Sequence, residues 1–371
     1  MLPIMKTYLN TISRRELLAA TGAALLGNVA SAREDNRWET TQAGVTAVQR
    51  GLQWLARSQG VAGNWGSNDL GLVSLGALAF LAAGHAPERS KQYGDNVSRA
   101  LNFVLSSAKP SGLLNISDPR RDMYNHGLSA FVLTQAYGVH HDRRMGPALD
   151  KALKLISRVQ CSDGGWEYTA VRMSRGHDLS LTVMQAKALR GAMDMGLEVP
   201  PEVIARAIAY VRRCFRGAGE GGAGAFTYRG DPIRPGRGAI GVAACGAVCL
   251  QEFGEYDDYR IQQSLNLASN RIRSHIGSEK GQLPLEAYAM YYVAQGLYQV
   301  GGNHWRQVYP MVRDAMVKTQ HGDGFWRDSR VTGQPGQLFA TAVGVFALSV
   351  PNRYLPILQR GKNQRTSGGT E

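Results

Sequence analysis

The 371-residue chain lacks an apolar run of the roughly 20 residues that span a bilayer. Its longest candidate, residues 70–83, is interrupted by Ser74 and two glycines and reads as a buried helix. No block of like charge occurs, and only 19% of residues are charged against 44% hydrophobic, so a disordered chain is excluded. The 44 glycines and 14 prolines follow no three-residue period, which excludes a collagen-like rod. There are only four cysteines, Cys161, Cys214, Cys245 and Cys249, and no Cys-x-x-Cys pair. A zinc ribbon and a thioredoxin-type site are thereby removed. Cys245 and Cys249 lie four apart, on one face of a helix, and read as buried small hydrophobes with free thiols. Residues 217–224 are glycine-rich, but no strand precedes them and no Gly-Lys-Ser/Thr follows. They read as a flexible junction rather than a phosphate loop.

Basic residues are what the chain has in excess. Lys and Arg number 42 against 29 Asp and Glu, a formal charge of +13. They are spread along the whole length, so no nucleic-acid patch is expected. Near the N-terminus, Arg14-Arg15 precede the mild apolar stretch 17–26, and Ala30-Ser31-Ala32 follows. That order resembles a twin-arginine export signal with a cleavage site. We therefore expect residues 1–32 to be a signal peptide and the protein to be periplasmic or extracellular. Residues 33–44 are then a linker, 45–358 the folded domain and 359–371 a flexible tail. No transmembrane segment is expected in the mature chain.

A repeat organises the rest. Residues 50–65 read Arg-Gly-x-x-Trp-Leu-x-x-x-Gln-x-x-x-Gly-x-Trp. Residues 151–166 repeat this as Lys-Ala-x-x-Leu-Ile-x-x-x-Gln-x-x-x-Gly-Gly-Trp, and residues 320–326 as Gln-x-x-x-Gly-x-Trp. Weaker copies cover 99–114, where Leu114 replaces the Trp, and 206–226, which ends at Phe226. A faint copy lies near 263–276. The Gln or its substitute falls at 59, 108, 160, about 215, about 268 and 320, six units of about 52 residues. Each unit holds an amphipathic pattern carrying the motif, then a pattern apolar nearly all round, such as 127–137 or 179–193. The first predicts an outer helix and the second a buried inner one. The expected fold is all-α: six helical hairpins closing into an (α/α)6 toroid with inner and outer rings.

These motifs resemble the QW repeat of the prenyltransferase and squalene–hopene cyclase superfamily, over nearly all of residues 45–355. With its export signal and the run 347–357, the chain looks like uncharacterised exported repeat proteins of planctomycete-like bacteria. The resemblance implies a toroid with an apolar central pocket for isoprenoids. It makes the motif Gln and Trp structural, the Gln bonding the backbone at the start of a neighbouring outer helix. It also supplies chemistries to look for. The Asp-x-Asp-Asp string of cyclases is absent, and the nearest run, 255–258, reads as a solvated acidic turn. Of the three zinc ligands of protein prenyltransferases, Asp178 matches, but Ser180 and Ala340 stand where Cys and His are required. The Gly-Cys-Gly-Glu-Gln thioester string is absent. No metal and no cofactor are expected, and no catalytic residue is assigned.

What remains are polar residues bracketing the inner-helix starts. Tyr124, His126, His177, Asp178, Ser180, Gln185, Arg237, Glu286 and Tyr288 are the candidates for lining a central cavity. Asp69, Asp178 and Ser180 are also good helix-capping types. The expected function is binding of a small molecule, isoprenoid or otherwise apolar, or of a polymer. Alternatives are a hydrolase or lyase using rim carboxylates and histidines, with Asp178 and Glu286 as the carboxylate pair, and a structural or interaction module.

Overall fold

The computed structural model describes residues 38–218, 223–230, 238–276, 286–328 and 333–359. The expected signal peptide lies outside them, as do residues 33–37 of the expected linker and 360–371 of the expected tail, and the first helix begins at residue 42, inside that linker. Twelve α-helices among the described residues form six consecutive hairpins. They are α1 Gln42–Ser58 with α2 Leu70–Ala82, α3 Gly94–Ser106 with α4 Asp122–Tyr137, and α5 Met145–Val159 with α6 Leu179–Asp194. Then follow α7 Pro201–Arg213 with α8 Gly238–Glu252, α9 Tyr259–Ile276 with α10 Ala287–Val300, and α11 Gly302–Thr319 with α12 Gly333–Ser349.

The even-numbered helices form a closed inner ring. Each packs on the next, from α2 through α12, and α12 packs back on α2. Sequence decides which helix goes inside. Every residue of α2 except Leu72 is buried, because no face of Leu-Gly-Leu-Val-Ser-Leu-Gly-Ala-Leu-Ala-Phe-Leu-Ala tolerates water. In α5, by contrast, Met145, Leu149, Ala152, Leu153, Leu155, Ile156 and Val159 make one buried stripe, so it caps the inner ring from outside. The two rings match the fold expected from the repeat.

The Gln-x-x-x-Gly-x-Trp segments are the joints between units. Gln59, Gln160 and Gln320 each donate to the glycine carbonyl of their own motif. Each also donates to a carbonyl in the next outer helix: Asn96 at 2.9 Å, Val203 at 2.9 Å and Ala47 at 2.8 Å. The last of these joins α11 to α1 and closes the ring. Trp65, Trp166 and Trp326 each donate their indole N–H to a carbonyl ten residues upstream, at 2.8 to 2.9 Å. The motif glycines have positive φ and touch the next outer helix. At Gly164 (φ 94°), a Cβ would lie 2.1 Å from the Arg206 carbonyl oxygen.

Two details depart from the expectation. The units are not uniform, since the outer helices begin at residues 42, 94, 145, 201, 259 and 302. The motif position expected near 268 therefore falls inside α9 rather than at its end. The glycine-rich junction also joins two short antiparallel strands, β1 Phe215–Arg216 and β2 Ala225–Phe226, so the fold is not purely helical. Phe226 there takes the place of the motif Trp, packing on Gly246 of α8 as Trp65 packs on Gly76 and Trp326 on Gly344.

The far end of the inner ring is closed. The turn Pro356–Leu358 packs on α6. The Ile357 N–H donates to Gln135 Oε1 of α4 at 3.0 Å, and the Tyr298 hydroxyl of α10 donates to the Leu358 carbonyl at 3.1 Å. Within the ring, buried Lys187 of α6 pairs with Glu252 of α8 at 2.7 Å and also donates to Gln295 of α10. The ammonium lies over the rings of Phe131 and Tyr291. The sequence offered no sign of this charged plug.

Candidate functional site

The inner helices begin at the opposite, open end of the ring, and three of them begin on a carboxylate. Asp69 Oδ1 accepts the Leu72 N–H of α2 at 3.1 Å, while its Oδ2 pairs with Arg121 at 2.8 Å. Asp178 caps α6: its Oδ1 accepts the N–H groups of Ser180 and Leu181 and the Ser180 hydroxyl, the last at 2.6 Å. Its Oδ2 accepts the Tyr168 hydroxyl at 3.3 Å. Asp328 Oδ2 accepts the Ala287 N–H of α10 at 2.9 Å. The carboxylates at the rim thus satisfy orphan helix N–H groups, the role their residue types favour.

Inside this rim is a cavity of about 570 Å3. Leu72, Leu75, Leu128, Met184 and Phe339 give it an apolar body. Its most frequent side chain is tyrosine: Tyr124, Tyr168, Tyr228, Tyr288, Tyr291 and Tyr292. Rings of Tyr288 and Tyr291 meet that of Tyr292 edge-on, with centroids 4.9 and 5.1 Å apart. Burial pushes the phenols of Tyr124, Tyr288, Tyr291 and Tyr292 well above their ordinary range, so all four are neutral donors at physiological pH. Burial and the neighbouring Asp178 carboxylate raise Tyr168 to about 12.

Of the nine residues singled out in the sequence, Tyr124, Asp178, Ser180, Glu286 and Tyr288 line the cavity. Three do not. His126 is fully buried between units: its Nδ1 accepts the Leu114 N–H at 3.1 Å and its Nε2 donates to the Ala152 carbonyl at 3.1 Å. It pins the motif copy that lacks a Trp, and burial lowers its pKa to about 4. Gln185 is turned toward α4, donating to the Met123 carbonyl at 2.8 Å. His177 sits behind Tyr168, with ring centroids 4.4 Å apart. It is held by Glu167 at 3.2 Å and by Arg229, which donates to Nε2. Arg237 lies outside the described residues.

Sequence reading missed Tyr168 and Tyr228, which reach the cavity from connecting segments. It also missed Tyr291 and Tyr292, although their i+3 and i+4 spacing from Tyr288 was a usable signal. The prenyltransferase zinc set has no counterpart in the geometry. The Ser180 hydroxyl is a donor to Asp178, Ala340 offers no ligand, and four hydrogen bonds already occupy the Asp178 carboxylate. Among the described residues, no three His, Cys, Asp or Glu side chains gather to hold a metal. All four cysteines are buried free thiols.

The architecture is similar to that of a variant of the type II terpene cyclase MstE from Scytonema, in complex with its substrate geranylgeranyl dihydroxybenzoate. Identity is 14% and the TM-score 0.55, over 84% of this chain and 98% of that one. It is equally similar to cellobiose 2-epimerase from Bacillus thermoamylovorans B4167, with 13% identity and a TM-score of 0.59 over 83% and 99%. What they share with this chain is a toroid of α/α hairpins. A protein from Actinoplanes shares it at 16% identity and a TM-score of 0.57, over 82% and 98%. No protein-family model and no curated protein matches the sequence. At these identities what is shared is the toroid, and the two named activities differ from each other.

Proposed function

We propose that this toroid is an exported protein that binds one small, largely apolar molecule in its central cavity. The observation that carries the reading is the cavity itself: about 570 Å3, walled chiefly by tyrosines and aliphatic side chains, in a ring whose far end is covered by the turn Pro356–Leu358. That volume suits a molecule of drug-like size. A blind end favours a compact ligand over a threading polymer. Prenylated and isoprenoid molecules fit the description, in keeping with the substrate of the structurally similar cyclase.

The hydrolase or lyase alternative has less support. Both candidate histidines lie off the cavity wall, and Asp178 is committed to capping α6. An interaction module would use the outer ring, where Val45 and Tyr259 are the large apolar side chains exposed among the described residues.

The test uses the neutral fluorescent apolar reporter N-phenyl-1-naphthylamine with wild type and two cavity-filling variants, Leu75→Trp and Leu128→Trp. One-to-one binding that both folded variants lose is the expected result. Equal binding by wild type and folded variants contradicts the proposal. For the export part, the mature N-terminus in the exported fraction is expected at Arg33, and an intact residue 1 in that fraction contradicts it.

A further inference from the structure

Two tyrosine hydroxyls of the cavity wall lack a well-formed hydrogen bond to a protein acceptor. The hydroxyls of Tyr288 and Tyr291 are buried, and neither meets a protein acceptor in full hydrogen-bonding geometry: Cys245 is the side chain near the first and Gln295 the one near the second, and both are engaged elsewhere. Both residues line the cavity, and Tyr291 is only 4% exposed. They lie one turn apart on α10 and so share a face. A buried donor without an acceptor costs free energy, and native proteins leave few of them.

The neighbourhood explains why no protein group serves them. Tyr292, between the two rings, donates its own hydroxyl to Met184 Sδ at 3.7 Å. The Cys245 thiol donates to the Leu179 carbonyl. Asp178, the carboxylate bracketing Tyr124 and Tyr168, has accepted four hydrogen bonds already. Around these tyrosines donors therefore prevail, while the other carboxylates of the lining, Asp69, Glu286 and Asp328, sit at the rim beside the helix starts.

From this the geometry points to the class of the ligand: an apolar body bearing a neutral hydrogen-bond acceptor, a ketone, ester, ether or alcohol oxygen, that receives the Tyr288 and Tyr291 hydroxyls. The inference rests on the cavity being a ligand site. A hydrocarbon would leave both donors unserved. An anion would be buried with Arg121 as the sole cation among the described lining residues, and Arg121 is already paired with Asp69.

A matched pair of probes separates these cases. 2-Acetylnaphthalene and 2-ethylnaphthalene have nearly the same shape and differ in one carbonyl oxygen. Their affinities are measured by titration calorimetry for wild type and for the Tyr288→Phe/Tyr291→Phe double variant. Wild type is expected to bind the ketone about tenfold more tightly, the worth of one net neutral hydrogen bond. In the double variant that preference is expected to vanish while the hydrocarbon binds as well as before. The variant itself should be no less stable, since it removes unserved donors. Equal binding of both probes to wild type, or a preference that survives in the variant, overturns the inference and leaves the cavity reading standing. Binding of neither probe overturns both.

Discussion

Replacing Gly324 by alanine tests whether the ring is closed by the contact between its last and first outer helices. Gly324 has φ of 94°, and a Cβ there would lie 2.5 Å from the Arg50 carbonyl oxygen of α1 and 2.9 Å from its carbon. Two costs combine. A side chain in the left-handed region costs about 1–2 kcal/mol. Pushing α1 outward to admit a methyl group costs a further ~1–3 kcal/mol. The push also strains the bond from Gln320 to the Ala47 carbonyl and that from Arg50 to the His321 carbonyl, each 2.8 Å. We expect a loss of about 3 kcal/mol from these costs together. Gly254→Ala is the control. Its φ is 84°, but nothing lies within 4 Å of the new Cβ, so the backbone cost of about 1 kcal/mol stands alone. Urea titrations followed by tryptophan fluorescence measure both. Hydrogen exchange then locates the damage, which should be faster exchange in α1 for the Gly324 variant alone. If the two variants lose equal stability, the joint between α11 and α1 does not hold the ring and the argument fails.

Other outcomes follow from single sites. His126 has a pKa lowered to about 4 by burial, against about 6.5 when unfolded, so the native state refuses a proton that the unfolded chain accepts. Its contribution is intact above pH 6.5 and is lost as pH falls toward 4, by roughly 3 kcal/mol in all. Melting temperatures from pH 7 to 4 should show this loss in wild type and much less of it in His126→Gln. Trp166→Phe strips the N–H from the Ile156 carbonyl at a fully buried site and should cost about 1–3 kcal/mol by denaturant unfolding. Lys187→Met leaves Glu252 as an unpaired buried charge and should cost ~3–5 kcal/mol. The Lys187→Met/Glu252→Gln pair should recover most of that in the same assay, and no recovery would show that the charge is not the cause.

How much was legible in the sequence depended on whether a residue's role is local. Gln160 and Trp166 act over spacings that repeat with the chain, four residues to the glycine carbonyl and ten to the Ile156 carbonyl. Their copies therefore announce the joints and, through them, the two rings. The copy near 268 was misplaced because unit length varies, with α9 starting only at Tyr259. At the site, Asp178, Ser180, Glu286 and Tyr288 were readable because a helix start fixes which end of the ring a residue faces. His126 and Gln185 lie near helix starts too, but they turn sideways into neighbouring helices, and rotation about the helix axis is set by packing. Tyr168 and Tyr228 belong to connections whose path depends on tertiary contacts, as in the bond from the Leu179 N–H to the Tyr228 carbonyl. The Lys187–Glu252 pair joins residues 65 apart in sequence, and no local pattern marks it.

The central claim, a closed toroid whose cavity receives an oxygen-bearing apolar molecule, is met most directly by a crystal structure of the protein soaked with 2-acetylnaphthalene. The account predicts the naphthalene ring among Tyr124, Tyr288 and Tyr292, with its carbonyl oxygen within about 3.2 Å of the Tyr288 or Tyr291 hydroxyl. A probe bound only on the outer surface, or an inner ring collapsed onto its own side chains, would contradict it.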